Sequence, residues 1–288
     1  MQDSYSLAKE TKEILKKHNA YLNKSLGQNY LIDNNKKEQI INFANLNKND
    51  TVLEVGSGIG TLTLDLSFKS RKVIAIEKDS KISKILSERL ENAGIDNVEL
   101  INDDALDIDF PYFNKIVSNL PYQISSPITF KFLDYTFDLA ILMYQKEFAN
   151  RMSSKISTKN YSRLSTMLYF KCDIEYLTNV SKESFLPKPK IDSTVIKLTP
   201  KISNDLTKEE YDIYGTFTKA LFQHKNKKSR NAIIDSRHVF GYSDKKEIKN
   251  TLNEIDSFDV NELLSKKVVN SSPQEILFLS QQLKYIIK

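Results

Sequence analysis

One cysteine, Cys172, stands in 288 residues, so no intrachain disulfide is possible and no cysteine cluster is available to hold zinc. A reducing compartment is the simplest setting. His224 has no histidine or acid at ligand spacing, and no metal centre is expected. No stretch is long and apolar enough to span a bilayer, and the opening Met1-Gln2-Asp3-Ser4-Tyr5 lacks the charged-then-apolar layout of a signal peptide. A cytoplasmic protein without a membrane partner is expected. Internal repeats and low-complexity segments are also missing. What remains is ordinary globular composition, 40% apolar and 27% charged, in a chain long enough for one large domain and an appendage. The net charge of +5 mildly favours a polyanionic partner.

The chain announces its chemistry at Ser118-Asn119-Leu120-Pro121-Tyr122, directly after the apolar run Lys115-Ile116-Val117 that ends a buried strand. Ligands of open α/β folds sit at that edge of the sheet. Pro121 fixes its own φ and pushes Leu120 out of the helical region, which leaves backbone carbonyls free to accept hydrogen bonds. An amide oxygen on Asn119 and a flat face on Tyr122 complete a set suited to a planar base with an exocyclic amine. The competing reading is a capped turn with Tyr122 as ordinary core.

Upstream, residues 7–18 have a polar helical pattern and are expected to precede the domain proper. The stretch 24–33 packs a glycine, Gln28, Asn29 and Tyr30 too tightly for a regular element. It reads as a loop lying across a ligand, with Asp33 as the cap of a helix over 35–46. Thr51-Val52-Leu53-Glu54-Val55 reads as a buried strand, and Gly56-Ser57-Gly58-Ile59-Gly60 as a turn into a helix over 61–67. The G-x-G-x-G spacing differs from the dinucleotide G-x-G-x-x-G, which favours a nucleoside ligand without pyrophosphate; a mere tight turn is the alternative. A second strand over 72–76 ends at Glu77, placed either to take ribose hydroxyls or to partner a helix dipole. After a helix over 81–93, the strand 98–102 leads to Asp103-Asp104-Ala105, where one carboxylate suits an adenine amino group and Ala105 leaves room for the ring. Asp103 fits a cap better. Further strands are expected over 139–143, 174–180 and 194–198, with the loop from Phe185 to Ser193 held extended by two prolines and exposing its phenylalanine.

Beyond Pro200 the pattern is helical throughout. Thr207 with Glu210 and Ser272 with Glu275 have capping-box spacing, the latter followed by Pro273 at the first helical position. Between them, Lys225, Lys227, Lys228 and Arg230 gather beside Phe222 and suit phosphate contacts; a solvated face is the alternative.

The ordered set Gly27-Gln28-Asn29-Tyr30-Leu31, Glu54-Val55-Gly56-Ser57-Gly58-Ile59-Gly60, Glu77, Asp104-Ala105, Asn119-Leu120-Pro121-Tyr122 and the 185–193 loop resembles the ribosomal RNA adenine N6-dimethyltransferases. The likeness runs from about residue 22 to Pro200 and more loosely beyond; Ser57 stands where the family often has proline, and Ser162 where it often has glycine. The resemblance implies an α/β class I methyltransferase fold with a seven-stranded sheet and helices on both faces over residues 1–200, followed by a small helical RNA-binding domain over 201–288. It implies S-adenosylmethionine as cofactor, held by Gln28, Asn29, Leu31, Gly56, Glu77, Asp104 and Asn119. The substrate it implies is a pair of adjacent adenosines near the 3′ end of small-subunit rRNA, free or in a pre-ribosomal particle, dimethylated at N6 during ribosome biogenesis. Asn119 and the Leu120 carbonyl would accept the N6 hydrogens, and Tyr122 and Phe185 would sandwich the base. A monomer is expected. The alternatives are a large-subunit rRNA methyltransferase of the antibiotic-resistance type and an assembly factor acting mainly by binding RNA.

Overall fold

The computed structural model describes residues 6–20, 28–201 and 206–288, so the Lys24 to Gly27 portion of the amide-rich loop lies outside the described residues. The chain divides into two compact units, residues 1–149 with 174–200, and residues 150–173 with 201–288. Residues 150–173 thus cluster with the helical unit, which starts earlier in the chain than the boundary expected at Pro200. The chain runs α1 (Leu7–Lys17), β1 (Tyr30–Leu31), α2 (Asn34–Phe43), β2 (Thr51–Val55), α3 (Thr63–Lys69), β3 (Lys72–Ile76), α4 (Ser80–Asn92), β4 (Val98–Ile101), β5 (Lys115–Asn119), α5 (Ser125–Phe132) and β6 (Leu139–Gln145) in the first unit, and then α6 (Lys146–Met152), at which the second begins. After α7 (Arg163–Lys171) come β7 (Cys172–Val180), β8 (Phe185–Leu186) and β9 (Ser193–Pro200).

Seven strands form one sheet in the order β4-β3-β2-β5-β6-β9-β7, parallel from β4 to β6, with β9 antiparallel to β6. Strands covered by helices on both faces need apolar residues at every position, and all five residues of β2 are buried. That is why the short apolar runs 51–55, 72–76 and 139–143 are legible as strands. The chain order reverses between β2 and β5. There the ladder is short, Val52↔Lys115 and Leu53↔Ile116, and the Val55 N–H bonds instead to the Ser118 hydroxyl at 2.9 Å. The two strands part beyond it, opening a crevice at their carboxyl ends. At the opposite edge Lys115 and Asp50, both buried, pair at 3.0 Å. Lys115 also donates to the Ala44 and Asn45 carbonyls and Asn114 to the other Asp50 oxygen, so the charges are fully partnered.

The N-terminal helix does not stand outside the domain. Leu15 and Ala20 pack with Tyr30, Ile59, Ile82 and Ile85. The Arg89 guanidinium joins Glu10 of α1 to the Ile59 carbonyl in the glycine turn. Lys81 bonds the Asn19 carbonyl at 2.7 Å.

The helical unit continues with α8 (Lys208–Phe222), α9 (Ser229–Asp235), α10 (Lys245–Asn253), α11 (Phe258–Ser265) and α12 (Pro273–Gln282). Both capping boxes form, Thr207 with Glu210 and Ser272 with Glu275, with Pro273 opening α12. Its core tyrosines spend their hydroxyls on backbone: Tyr214 on Thr166 O (2.9 Å), Tyr211 on Met167 O (3.0 Å) and Tyr161 on Ser271 O (2.9 Å). Among the described residues no helix is long and apolar enough to cross a membrane.

Because Leu15 is buried against the glycine-turn side of the domain, Leu15→Ala is expected to lower stability by about 2–5 kcal/mol. Urea unfolding of the first unit, followed by hydrogen exchange, checks this; an unchanged midpoint would return α1 to the status of an appendage.

Candidate active site

The crevice at the β2/β5 junction is a cleft of about 210 Å³ whose wall comes from five chain segments. They are the residues around β1 (Gln28 to Leu31), the glycine turn, the ends of β3 and β4 (Glu77, Asp104, Ala105) and the Asn119 to Ile124 turn. Segments separate in sequence and singled out from it therefore meet in one place.

The glycine turn curls over the end of β3. The Gly56 and Ser57 N–H groups both bond the Ile76 carbonyl, at 2.8 and 3.2 Å. Gly56 has φ +75°, and a Cβ there would lie 2.8 Å from Pro121 Cδ; Gly58 has φ +58°, and its Cβ would lie 2.9 Å from the Tyr30 ring. Both positions combine left-handed backbone with close approach, so side chains are excluded twice over.

Asn119 ends β5, and its Nδ2 donates to the Asn29 carbonyl at 3.0 Å. A carbonyl only accepts, so the bond fixes the amide's orientation and leaves Oδ1 as the other end. Among the described residues, no hydrogen bond ends on that oxygen, and no turn or loop backbone bond ends on the Leu120 carbonyl. Leu120's side chain is core. Pro121 (φ −58°, ψ 124°) holds the chain extended before the short 3-10 turn Tyr122–Ile124. Tyr122 lies half-buried on the cleft wall, its hydroxyl 2.7 Å from Ser193 Oγ, and burial pushes its pKa up.

Four carboxylates of the wall meet different environments. Glu77 accepts the Asp79 N–H on one oxygen (2.9 Å) and the Gly58 N–H on the other (2.8 Å), and the Lys78 N–H also acts on the carboxylate. Burial raises its pKa against the pull of those donors. Asp104 takes Lys78 on one oxygen at 2.5 Å and the Leu106 N–H on the other at 2.9 Å, and the lysine bond foremost lowers its pKa. Asp103 accepts the N–H of its neighbour Asp104 at 2.7 Å. Glu54, 2% exposed inside β2, is the residue that sequence reasoning left without a role. It accepts from the Thr63 hydroxyl at 2.6 Å, and burial pushes its pKa up to about 8. An acid inside an otherwise apolar strand was the available signal.

Other expected site residues lie elsewhere or are already engaged. Gln28 donates to Asp79 at 3.2 Å, and Leu31 lines the cleft while its side chain is core. Asp33 caps α2 through the Lys36 N–H. Phe185 is a correction: it is 2% exposed, packs with Leu31 and Ile41, and does not line the cleft. The reason is strand pairing, because β8 joins β1 with Leu31 opposite Phe185 and turns the ring into the core. The cations of the basic cluster make contacts within the helical unit. Lys225 donates to the Lys159 and Tyr161 carbonyls, Lys227 pairs with Asp235 at 2.7 Å, and Arg230 bonds Leu252 O and Asn253 at the end of α10. Lys227 and Lys228 both have exposed side chains.

Because Glu54's folded pKa is raised, the stability that it contributes is full below its ordinary value near 4.5, falls as pH rises, and is gone above about 8. Glu54→Gln carries no such charge. Relative to wild type, the ligand-free variant is expected to gain on the order of 5 °C in Tm between pH 5 and 8.5. A pH-independent Tm difference would show that Glu54 is ionised throughout.

The family model for ribosomal RNA adenine dimethylase matches residues 19–265. A probable ribosomal RNA small subunit methyltransferase A of Methanosphaera stadtmanae is 48% identical over 270 residues, 94% of this chain and 96% of that one. The protein of the same description in Methanothermobacter thermautotrophicus is 44% identical over 277 residues, 96% of each chain. Among solved structures, a dimethyladenosine transferase from Plasmodium falciparum superposes with a TM-score of 0.73 at 31% identity, covering 88% of this chain and 97% of that one. The 23S rRNA methyltransferase ErmE gives 0.61 at 26% identity, covering 88% and 99%. A match across most of the chain, in sequence and in fold, makes this protein a member of the ribosomal RNA adenine dimethylase family.

Proposed function

We propose that this protein transfers methyl groups from S-adenosylmethionine to N6 of two adjacent adenosines near the 3′ end of small-subunit rRNA, in the cytoplasm, during ribosome biogenesis. The observation that carries the reading is the Asn119 turn, where an oriented amide oxygen, a proline-held carbonyl and an aromatic ring share a wall with the glycine turn. The small-subunit descriptions of relatives 44–48% identical favour that substrate over the large-subunit one.

The cleft fits an adenosyl cofactor. Gly56 and Gly58 leave bare backbone where a Cβ has no room, Glu77 brings an accepting carboxylate to the wall, and, among the described residues, hydroxyls of Ser57 and Thr61 on the wall are buried without hydrogen-bond partners. When bound, S-adenosylmethionine supplies an electrophilic methyl group. Gln28, Asn29 and Leu31 would cover it, Gly56 would adjoin its methionine end, Glu77 its ribose and Asp104 its adenine.

The chain's own task is to make an aniline-like nitrogen nucleophilic, since the adenine N6 lone pair is delocalised into the ring. In this mechanism Asn119 Oδ1 and the Leu120 carbonyl accept the two N6 hydrogens. That favours a pyramidal amine with its lone pair turned outward. Tyr122 stacks on the base, which must first leave its helix or loop stack. No strong general base is needed before attack, because a methylated cationic amine loses its proton readily. Orientation within the cleft contributes much of the rest. In the helical unit, exposed Lys228 contacts phosphate.

Asn119→Ala is expected to reduce methyl transfer by about 10²–10³-fold, the scale of removing one preorganised polar group. S-adenosylhomocysteine binding should largely persist. Tritiated-methyl incorporation into rRNA, with mapping of dimethyladenosine, checks both the role and the substrate; near-normal turnover would remove Asn119 from the mechanism. Lys228→Ala is expected to weaken RNA binding and reduce its salt slope by about one, whereas Arg230→Ala acts on thermal stability. Filter binding across salt concentrations separates these effects.

A further inference from the structure

Tyr30 has no part in the machinery above, yet it lines the same cleft. It is 6% exposed, its ring packs with Leu15, Ile59 and Ile82, and its hydroxyl is buried with no hydrogen-bond partner among the described residues. An orphaned buried hydroxyl is costly and rare. The ring edge lies against Gly58, whose N–H donates to Glu77, so tyrosine, glycine and glutamate form one corner of the cleft.

Glu77 and Asp79 are the charged groups whose fields reach the phenol, and neither takes its proton. Glu77 accepts the Gly58 and Asp79 N–H groups. Asp79 accepts Lys81 N–H and Ile82 N–H on one oxygen and Gln28 on the other. Burial first, and then these two carboxylates, push the phenol pKa well above its usual value, so it remains a donor at any physiological pH. A carboxylate binding two ribose hydroxyls is an acceptor only, and the hydroxyl oxygens it leaves are themselves in need of donors. The phenol supplies the missing chemistry at the same corner.

We propose that Tyr30 is a further ligand-binding residue of the cleft, its hydroxyl donating to a ribose oxygen of the adenosyl cofactor whose hydroxyls Glu77 accepts. This rests on the function proposed above. Ser57, 4% exposed with its hydroxyl likewise orphaned on the neighbouring turn, is outside this assignment and serves as a control.

The test is calorimetric titration of S-adenosylhomocysteine into the full chain, with thermal unfolding of the ligand-free protein alongside. Tyr30→Phe should weaken Kd about tenfold, the worth of one net hydrogen bond, while ligand-free Tm holds or rises because no internal bond is lost. With the 2′-deoxy or the 3′-deoxy analogue of the ligand, one of the two should bind wild type and Tyr30→Phe equally, because its missing oxygen is the phenol's partner. Ser57→Ala should keep its own affinity ratio across those analogues. An unchanged Kd in Tyr30→Phe, a fall in its ligand-free Tm, or the same tenfold loss with both analogues would each overturn the assignment. Wild type that binds no S-adenosylhomocysteine would instead overturn the proposed function itself, and the assignment with it.

Discussion

A single van der Waals contact shapes the cleft: Gly56 lies against the ring of Pro121, so near that one added carbon would come within 2.8 Å of Cδ. The approach is possible because β2 and β5 are neighbours whose ladder stops at Leu53↔Ile116, letting the two turns beyond it lean together. Neither partner has latitude. Position 56 needs φ +75°, and Pro121 is locked near −60° by its own ring. The glycine turn and the Asn119 turn are therefore one assembly, which is what a reaction between two bound molecules requires of its scaffold.

Asn119 shows how economically that assembly is wired. Its nitrogen holds the Asn29 carbonyl, 90 residues away, and its oxygen is thereby turned to a defined direction. The acids nearby are differentiated by surroundings alone. Glu54, enclosed in β2, is largely neutral at pH 7; Glu77 is gripped by backbone N–H groups; Asp104 is held ionised by Lys78. One functional group thus provides three chemical characters within one cleft.

Much of this was legible in the sequence because it is local. Buried parallel strands write themselves as short apolar runs, the caps and capping boxes repeat fixed spacings, and the glycine and Asn-Leu-Pro-Tyr turns carry backbone requirements in their residue types. The failures all involve distant partners. Phe185 looked exposed between prolines because its strand partner, Leu31, lies far upstream. The contacts of the cations after Phe222, with Asp235, the Leu252 carbonyl and the Lys159 carbonyl, are likewise invisible to a local reading. The first helix looked detached because Glu10 and Arg89 are 79 residues apart. Glu54 and Tyr30 were quoted within motifs, but nothing local announces that one is protonated and the other unpartnered.

The Lys115 and Asp50 pair at the amino edge of the sheet carries an implication for descent. Replacing either alone strands an ion among buried carbonyls and amides, whereas exchanging both for apolar residues of similar bulk leaves no charge behind. Lineages can thus cross from one solution to the other only by a double step or through a crippled intermediate. The two positions should accordingly vary as a unit, tracing ancestry at a place remote from any chemistry that selection acts upon.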